Sequence, residues 1–348
     1  MATPLKVLIV DDSALMRQLL TQILGSDPEL QVVGTAGDPY VARDKIKSLN
    51  PDVLTLDIEM PRMDGLTFLE KLMRGHPMPV IMISSLTSKG ADTTLRALGL
   101  GAIDYIAKPK LDVSNGTIEQ AEEIVAKVKA AARARVRGVT NNTQPVAPLG
   151  GRSYQFSATH KIVAIGASTG GTEALKDLLS PLPADFPGIV IVQHMPETFT
   201  RQFADRLNTL CKIRVKEAQD MDRILPGHAL LAPGGHQMAV VRKGAEYEVH
   251  VYSGERVNRH LPSVDVLFSS CARNMGKNSL GVLLTGMGAD GARGMLEMKQ
   301  AGSFNIAQDE STSVVFGMPR EAIALNAVDM VLPLDQIPSA LMQRLVLN

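Results

Sequence analysis

The sequence predicts two α/β domains in one chain, each built on a mostly parallel sheet, with a linker between them. Three observations carry this reading. A chain of 348 residues fits two domains of about 150 residues each. Short β-branched runs alternate with helix-like patterns both early and late in the chain. Between these halves, periodicity fades into Asn, Thr, Pro and Gly in AARARVRGVTNNTQPVAPLGGRSYQFSA, Ala131 to Ala158. The expected boundaries are 1–135 for the first domain, 136–157 for a flexible linker and 158–348 for the second domain.

Composition removes several classes. With 45% apolar and 21% charged residues, the chain can bury ordinary cores and does not read as disordered. Basic and acidic residues balance at 36 each, so no global field favours nucleic acid or an anionic membrane. The start, MATPLKVLIVDD, has no signal-peptide pattern. No apolar run reaches the roughly 20 residues that span a bilayer. Cys211 and Cys271 make no metal or redox spacing and read as small buried hydrophobes of a reducing compartment. A cytoplasmic protein without membrane insertion is expected.

In the first domain the apolar runs are Val7 to Val10, Val32 to Thr35, Val53 to Leu56, Val80 to Ile83 and Ile103 to Ala107. Five such strands with helices between them imply a doubly wound parallel sheet covered on both faces. Ligands of such sheets bind outside the carboxyl ends of the strands. Strand one ends in Asp11-Asp12, strand three in Asp57, strand four in Ser84-Ser85 and strand five in Lys108-Pro109. Three carboxylates crowded on one rim repel unless a cation joins them, and Mg²⁺ suits few carboxylates plus a phosphate. Asp57 is the candidate nucleophile for a phosphoryl group, with Lys108 and Ser84 as ligands of its oxygens. The helix that follows is read to end near Arg137, its Lys127, Lys129, Arg133, Arg135 and Arg137 forming a solvated face or a docking patch.

This region, about residues 5 to 135, resembles response-regulator receiver domains through VDDS (Val10 to Ser13), LDIEMPRMDG (Leu56 to Gly65), Ser84-Ser85 and AKP (Ala107 to Pro109). The resemblance implies a flavodoxin-like fold and phosphorylation of Asp57 by a partner histidine kinase. It also implies Mg²⁺ on Asp12, Asp57 and the Glu59 backbone carbonyl, with Ser84 and Tyr105 reporting the switch. Receivers regulate, so an output lies beyond the linker.

The second domain opens with an apolar run into IGASTGG, Ile165 to Gly171, followed by a helix-like pattern. A dinucleotide site needs G-x-G-x-x-G and an acid at the end of the next strand. Here Ser168 takes the middle glycine's place, and the next strand, Gly188 to Gln193, ends in His194. A phosphate-binding P-loop fails too, because no Gly-Lys-Ser/Thr follows. The same facts suit a nucleophilic serine, since adjacent parallel strands bring Ser168 and His194 together and imidazole is the usual base for a hydroxyl. The apolar strand Ser279 to Leu284 runs into TGMGADG, placing Asp290 as the acid that orients the imidazole. His236, in LAPGGHQM before an expected antiparallel hairpin, remains an alternative base, and Asp309 an alternative acid. His160, His228, His250 and His260 read as surface or structural histidines. Without HExxH or CxxC spacing, metal-dependent hydrolysis is not indicated.

This half, about residues 158 to 346, resembles the catalytic domains of the bacterial chemotaxis-receptor methylesterase family, CheB. The motifs are IGASTGG, VQHMP (Val192 to Pro196), LAPGGHQM (Leu231 to Met238), PSVDVLF (Pro262 to Phe268), LTGMGADG (Leu284 to Gly291) and VVFGMP (Val314 to Pro319). Membership implies hydrolysis of glutamate methyl esters on methyl-accepting chemotaxis receptors and deamidation of certain glutamines. The chemotaxis histidine kinase is then the phosphodonor, and no cofactor serves the ester chemistry. Backbone N–H groups of Thr169 and Met287 are the oxyanion candidates, with Met287 as packing left open, and the Thr169 hydroxyl can assist near His194. The rival outputs are a nucleotide-dependent oxidoreductase, which would carry bound cofactor, and a DNA-binding unit, which needs a basic helix-turn-helix absent from this strand-rich half.

Overall fold

The computed structural model describes residues 3–85, 87–108, 117–134, 136 and 161–345. The chain divides into two compact units, residues 1–141 and 142–348. Residues 137–157 of the expected linker, Pro109 and His160 lie outside the described residues.

The first unit alternates strand and helix throughout: β1 (Leu5–Val10), α1 (Ala14–Gly25), β2 (Leu30–Ala36), α2 (Pro39–Leu49) and β3 (Val53–Asp57). It continues with α3 (Gly65–Gly75), β4 (Val80–Ser84), α4 (Ser88–Gly99), β5 (Asp104–Ala107) and α5 (Thr117–Ala132). The sheet runs β2-β1-β3-β4-β5 and every pairing is parallel. Burial on both faces explains the unbroken apolar runs: Val7, Leu8, Ile9 and Val10 are fully covered. Helix starts obey local chemistry. Asp38 accepts from the Tyr40 and Val41 N–H groups ahead of Pro39, and Asp64 accepts from Thr67 N–H.

The basic helix corrects one reading. Helix α5 ends at Ala132, and Lys127 is not part of a solvated face. Its Nζ lies 5.1 Å from the Tyr105 ring centroid, donates to Tyr105 O at 2.9 Å and pairs with Glu123 and Asp104. Lys129 and Arg133 are tied to Asp27 and Glu29 instead of standing free.

The second unit begins β6 (Ile162–Ala167), α6 (Gly171–Leu179), β7 (Ile189–Gln193), α7 (Glu197–Leu210), β8 (Arg214–Glu217) and β9 (His228–Leu231). The hairpin β10 (Gln237–Lys243) and β11 (Glu246–Tyr252) and helix α8 (Val264–Met275) follow. Then come β12 (Ser279–Leu283), α9 (Ala292–Gln300), β13 (Phe304–Gln308), α10 (Met318–Ala324), β14 (Met330–Leu332) and α11 (Ile337–Leu345). Seven parallel strands are ordered β14-β13-β12-β6-β7-β9-β8, and β10 pairs antiparallel with β11. Strand order reverses beside β6: the chain first grows through β7, then returns to add β12 on the other flank. Such a switch point opens a crevice at the carboxyl ends of the strands. Cys271, on the buried face of α8, lies in the core, and burial pushes its thiol up to about 12, which fits a packing role. Cys211 is half-buried and likewise raised, to about 11.

Candidate functional site

The crevice of the second unit is assembled from three turns. Between β6 and α6 the chain turns through Ser168, Thr169 and Gly170. Gly170 sits at φ +77°, the left-handed region, and a Cβ there would meet Val314 at 2.6 Å. Backbone bonds pin the serine: its N–H donates to Thr285 O at 3.0 Å, and its carbonyl accepts from Gly171 N–H at 2.7 Å. The Thr285 hydroxyl donates to Thr169 O at 2.9 Å, stitching this turn to the one after β12. Gly286 approaches so closely that an added Cβ would lie 2.8 Å from the Ser168 Cβ. The VVFGMP segment braces the same turn, because Gly317 and Met318 N–H both donate to Gly286 O.

His194 follows β7, and its N–H donates to Ala167 O at 3.1 Å, holding it beside the serine turn. Its Nε2 lies 2.8 Å from Asp290 Oδ2, with the two side chains 7% and 1% exposed. Asp290 also accepts from Asn258 Nδ2 (2.7 Å), Ser263 Oγ (2.7 Å), Val264 N–H (2.6 Å) and Asp265 N–H (3.2 Å). Burial alone would raise its pKa; the bond and charge of His194, then Asn258 and Ser263, outweigh it and hold the carboxyl far below its usual range. An ionised Asp290 fixes the proton on Nε2, leaving Nδ1 as the basic nitrogen. Nδ1 is buried and has no hydrogen-bond partner among the described residues. Neither nitrogen bonds Ser168 Oγ here; such contacts often tighten only when substrate is bound.

The competing residues go elsewhere. His236 Nδ1 faces Gly234 O at 3.4 Å. Asp309 is spent on Thr312 N–H and the Ser311 and Thr312 hydroxyls in its own turn. Among the oxyanion candidates, Met287 N–H has no acceptor among the described residues, and Thr169 is buried at the start of α6.

Sequence reasoning missed the supporting shell. Asn258 bridges Asp290 and Asp265, giving a 2.7 Å bond to each. Burial first, then the charge of Asp290, raises the Asp265 pKa. Gln193 Nε2 donates to Ser168 O at 3.0 Å and His194 O at 3.2 Å, clamping both turns. His260, expected to be a surface or hydrogen-bonded structural histidine, has its ring stacked on that of His194, with centroids 3.6 Å apart and planes 10° from parallel. The PSVDVLF motif signalled Ser263 and Asp265, but nothing in sequence spacing pointed to Asn258 or His260.

The first unit gathers its polar strand ends as expected. Carboxylate oxygens of Asp11, Asp12 and Asp57 lie within 4.8 Å of one another. Lys108 Nζ is 2.9 Å from Asp57 Oδ2 and 2.8 Å from Oδ1. Burial, then the charge of Asp57, pushes Asp11 up to about 6, and burial also raises Asp57 against the opposing pull of Lys108. Asp11 Oδ2 is buried without a partner. Three carboxylates with an orphaned oxygen form a donor set that fits a hard divalent cation. Glu59 N–H faces Asp57 Oδ1 at 3.4 Å, so its peptide belongs to this rim. Ser84 is buried at the end of β4, its Oγ 2.7 Å from Thr94 Oγ1, a partner that sequence reading did not find. Tyr105 is buried, which raises its phenol pKa well above the usual value.

Fold and sites together define a phosphoacceptor-type α/β module followed by an α/β domain of serine-hydrolase type. The response regulator receiver domain family model matches residues 7–115, and the CheB methylesterase family model matches residues 163–341. The chain belongs to the CheB methylesterase family. It is 59% identical over 97% of its length to a Geobacter metallireducens protein-glutamate methylesterase/protein-glutamine glutaminase, covering 95% of that relative. It is 57% identical to a Cupriavidus pinatubonensis protein of the same description, covering 99% of this chain and 97% of the relative. The crystal structure of the Thermotoga maritima CheB methylesterase catalytic domain superposes with a TM-score of 0.52 at 37% identity. That match covers 53% of this chain and 99% of the other.

Proposed function

We propose that this chain is a phosphorylation-controlled serine hydrolase that demethylates glutamate methyl esters on methyl-accepting chemotaxis receptors and deamidates certain glutamines. The observation that carries the reading is the 2.8 Å His194–Asp290 bond beside the Ser168 turn, in a family whose relatives bear that name. Residues 136–157 act as the linker between the two domains.

Ser168 attacks the ester carbonyl while His194 Nδ1 accepts its proton and returns it to the departing methoxide. Methanol leaves, a glutamyl ester on Ser168 remains, and water hydrolyses it through the same imidazole. With a glutamine side chain the leaving group is ammonia. Asp290 holds the tautomer and stabilises the imidazolium. The Thr169 and Met287 N–H groups receive the oxyanion, each such donor contributing roughly 3 kcal/mol in comparable sites.

In the receiver domain, Mg²⁺ would be held by Asp11, Asp12, Asp57 and the Glu59 carbonyl, where it would offset the carboxylate charge and favour the arrival of a phosphoryl group. Asp57 accepts the phosphoryl group, Lys108 and the Ser84 hydroxyl bind its oxygens, and Ser84 and Tyr105 relay the change. A chemotaxis histidine kinase is the phosphodonor. No described helix is long and apolar enough to cross a membrane, in keeping with a cytoplasmic enzyme that meets the receptors' cytoplasmic parts.

The deciding experiment measures methanol release from methylated receptor with and without acetyl phosphate and Mg²⁺. Release that acetyl phosphate accelerates supports the reading; absence of methanol under both conditions refutes it.

A further inference from the structure

We infer that His260 is a positioning residue for His194, holding the imidazole plane in its working orientation and supporting its charged form. The inference rests on the reading of His194 as the general base. His194 has a single side-chain hydrogen bond, from Nε2 to Asp290, and Nδ1 is unpartnered among the described residues. One bond fixes one atom but leaves the ring able to pivot about it. A second flat ring 3.6 Å away and 10° from parallel removes that freedom, because tilting would drive the rings together.

The way His260 is held argues for more than incidental packing. Val257 and His260 exchange both backbone bonds, N–H to O at 3.0 Å and 2.9 Å, around a two-residue turn. Asn258 and Arg259 occupy that turn at φ 51° and 69°, a left-handed pair that costs energy for residues with a side chain. Asn258 offsets the strain by bonding Asp290 and Asp265. One strained turn therefore delivers a donor to the acid and a plate to the base. When His194 becomes cationic during acyl transfer, the π face of the ring stacked on it attracts the charge.

Fluorophosphonate labelling of Ser168 in the full-length protein reads the serine–histidine pair without involving receptor binding. Methanol release from methylated receptor then separates kcat from KM. His260→Ala should slow labelling and lower kcat on the order of tenfold, with KM little changed, as small misplacements of a catalytic group do. His260→Phe keeps a flat π face and should restore both to within about threefold, whereas His260→Leu, which fills volume without a plane, should not. Should the alanine variant fail to fold, the Phe and Leu pair still decides. If Leu rescues as well as Phe, or Ala labels at the wild-type rate, the inference is overturned. His194→Ala is the separate control: wild-type labelling there would remove the base assignment itself.

Discussion

Asp290 Oδ2 accepts the backbone N–H of Val264 at 2.6 Å, so the acid beside His194 is also the anion that caps helix α8. Ser263, the residue at the cap position, makes no side-chain bond to its own helix and gives its hydroxyl to Asp290 instead. A helix N-terminus favours negative charge, so α8 helps keep this buried carboxyl ionised. Orientation of the imidazole and anchoring of a core helix thus depend on the same two oxygens.

Asp290→Asn should therefore damage both activity and stability. The amide offers one acceptor oxygen where two serve five donors, leaving buried N–H groups unpaired at a cost of about 1–3 kcal/mol. Turnover should fall by roughly 10⁴, because the wrong imidazole tautomer is favoured. Denaturant melts and methanol assays on one preparation check both effects; an unchanged melting midpoint would refute the capping role.

A pH dependence follows from the same group. The folded pKa of Asp290 lies below its ordinary value of 3.8, so its contribution is fully present above that value. It is lost as pH falls through the folded pKa. Wild-type stability should decline below about pH 4 more steeply than that of Asp290→Asn. Parallel acid limbs in the two melting series would contradict the assignment.

Ser168→Ala, unlike Asp290→Asn, should remove activity while sparing stability. No described residue bonds its hydroxyl to His194, and the turn is held by backbone contacts to Thr285 and Gly171. Stability should stay within about 0.5 kcal/mol of wild type. Methanol release should fall on the order of 10⁶-fold, as for removal of a triad nucleophile. More than a few per cent of residual activity would move the nucleophile elsewhere.

Both sites were legible in sequence where parallel topology does the gathering. Ser168 and His194 end adjacent strands β6 and β7, Asp290 follows β12 on the other flank, and Asp11, Asp57 and Lys108 end β1, β3 and β5. Polar residues at the carboxyl ends of apolar runs suffice to find such groups. Asn258 and His260 were invisible because a turn between the hairpin and α8, not a strand end, carries them to the crevice. Lys127 looked solvated because helix periodicity does not reveal that Tyr105 and Asp104 of β5 lie beneath it. Strands β8, β9, β13 and β14 were not located. They are short or interrupted by polar residues such as Asn305 and Gln308, which are buried and whose hydrogen bonds reach Ala327 and Thr285, distant in sequence.

Asp57→Asn tests the receiver chemistry directly. Acetyl phosphate with Mg²⁺ should add one acid-stable, base-labile phosphoryl group to wild type and none to the variant. Equal labelling of both proteins would withdraw Asp57 as the acceptor.

Lys108→Met separates electrostatics from simple structure in the same rim. Lys108 is the ammonium in contact with Asp57, which is fully buried, and burial already raises the pKa of that carboxyl. Removing the lysine leaves three carboxylates within 4.8 Å of one another without their counter-charge. The metal-free variant should lose stability, because an uncompensated buried charge is costly. The more negative site should in turn bind Mg²⁺ more tightly than wild type. Mass action then makes the added cation stabilise the variant more, each tenfold in affinity adding about 1.4 kcal/mol at saturating Mg²⁺. Thermal melts with and without Mg²⁺ read both effects at once. Phosphorylation from acetyl phosphate should still fall, since methionine cannot bind a phosphoryl oxygen. If Mg²⁺ stabilises Lys108→Met less than wild type, the lysine is not the counter-charge for this carboxylate cluster.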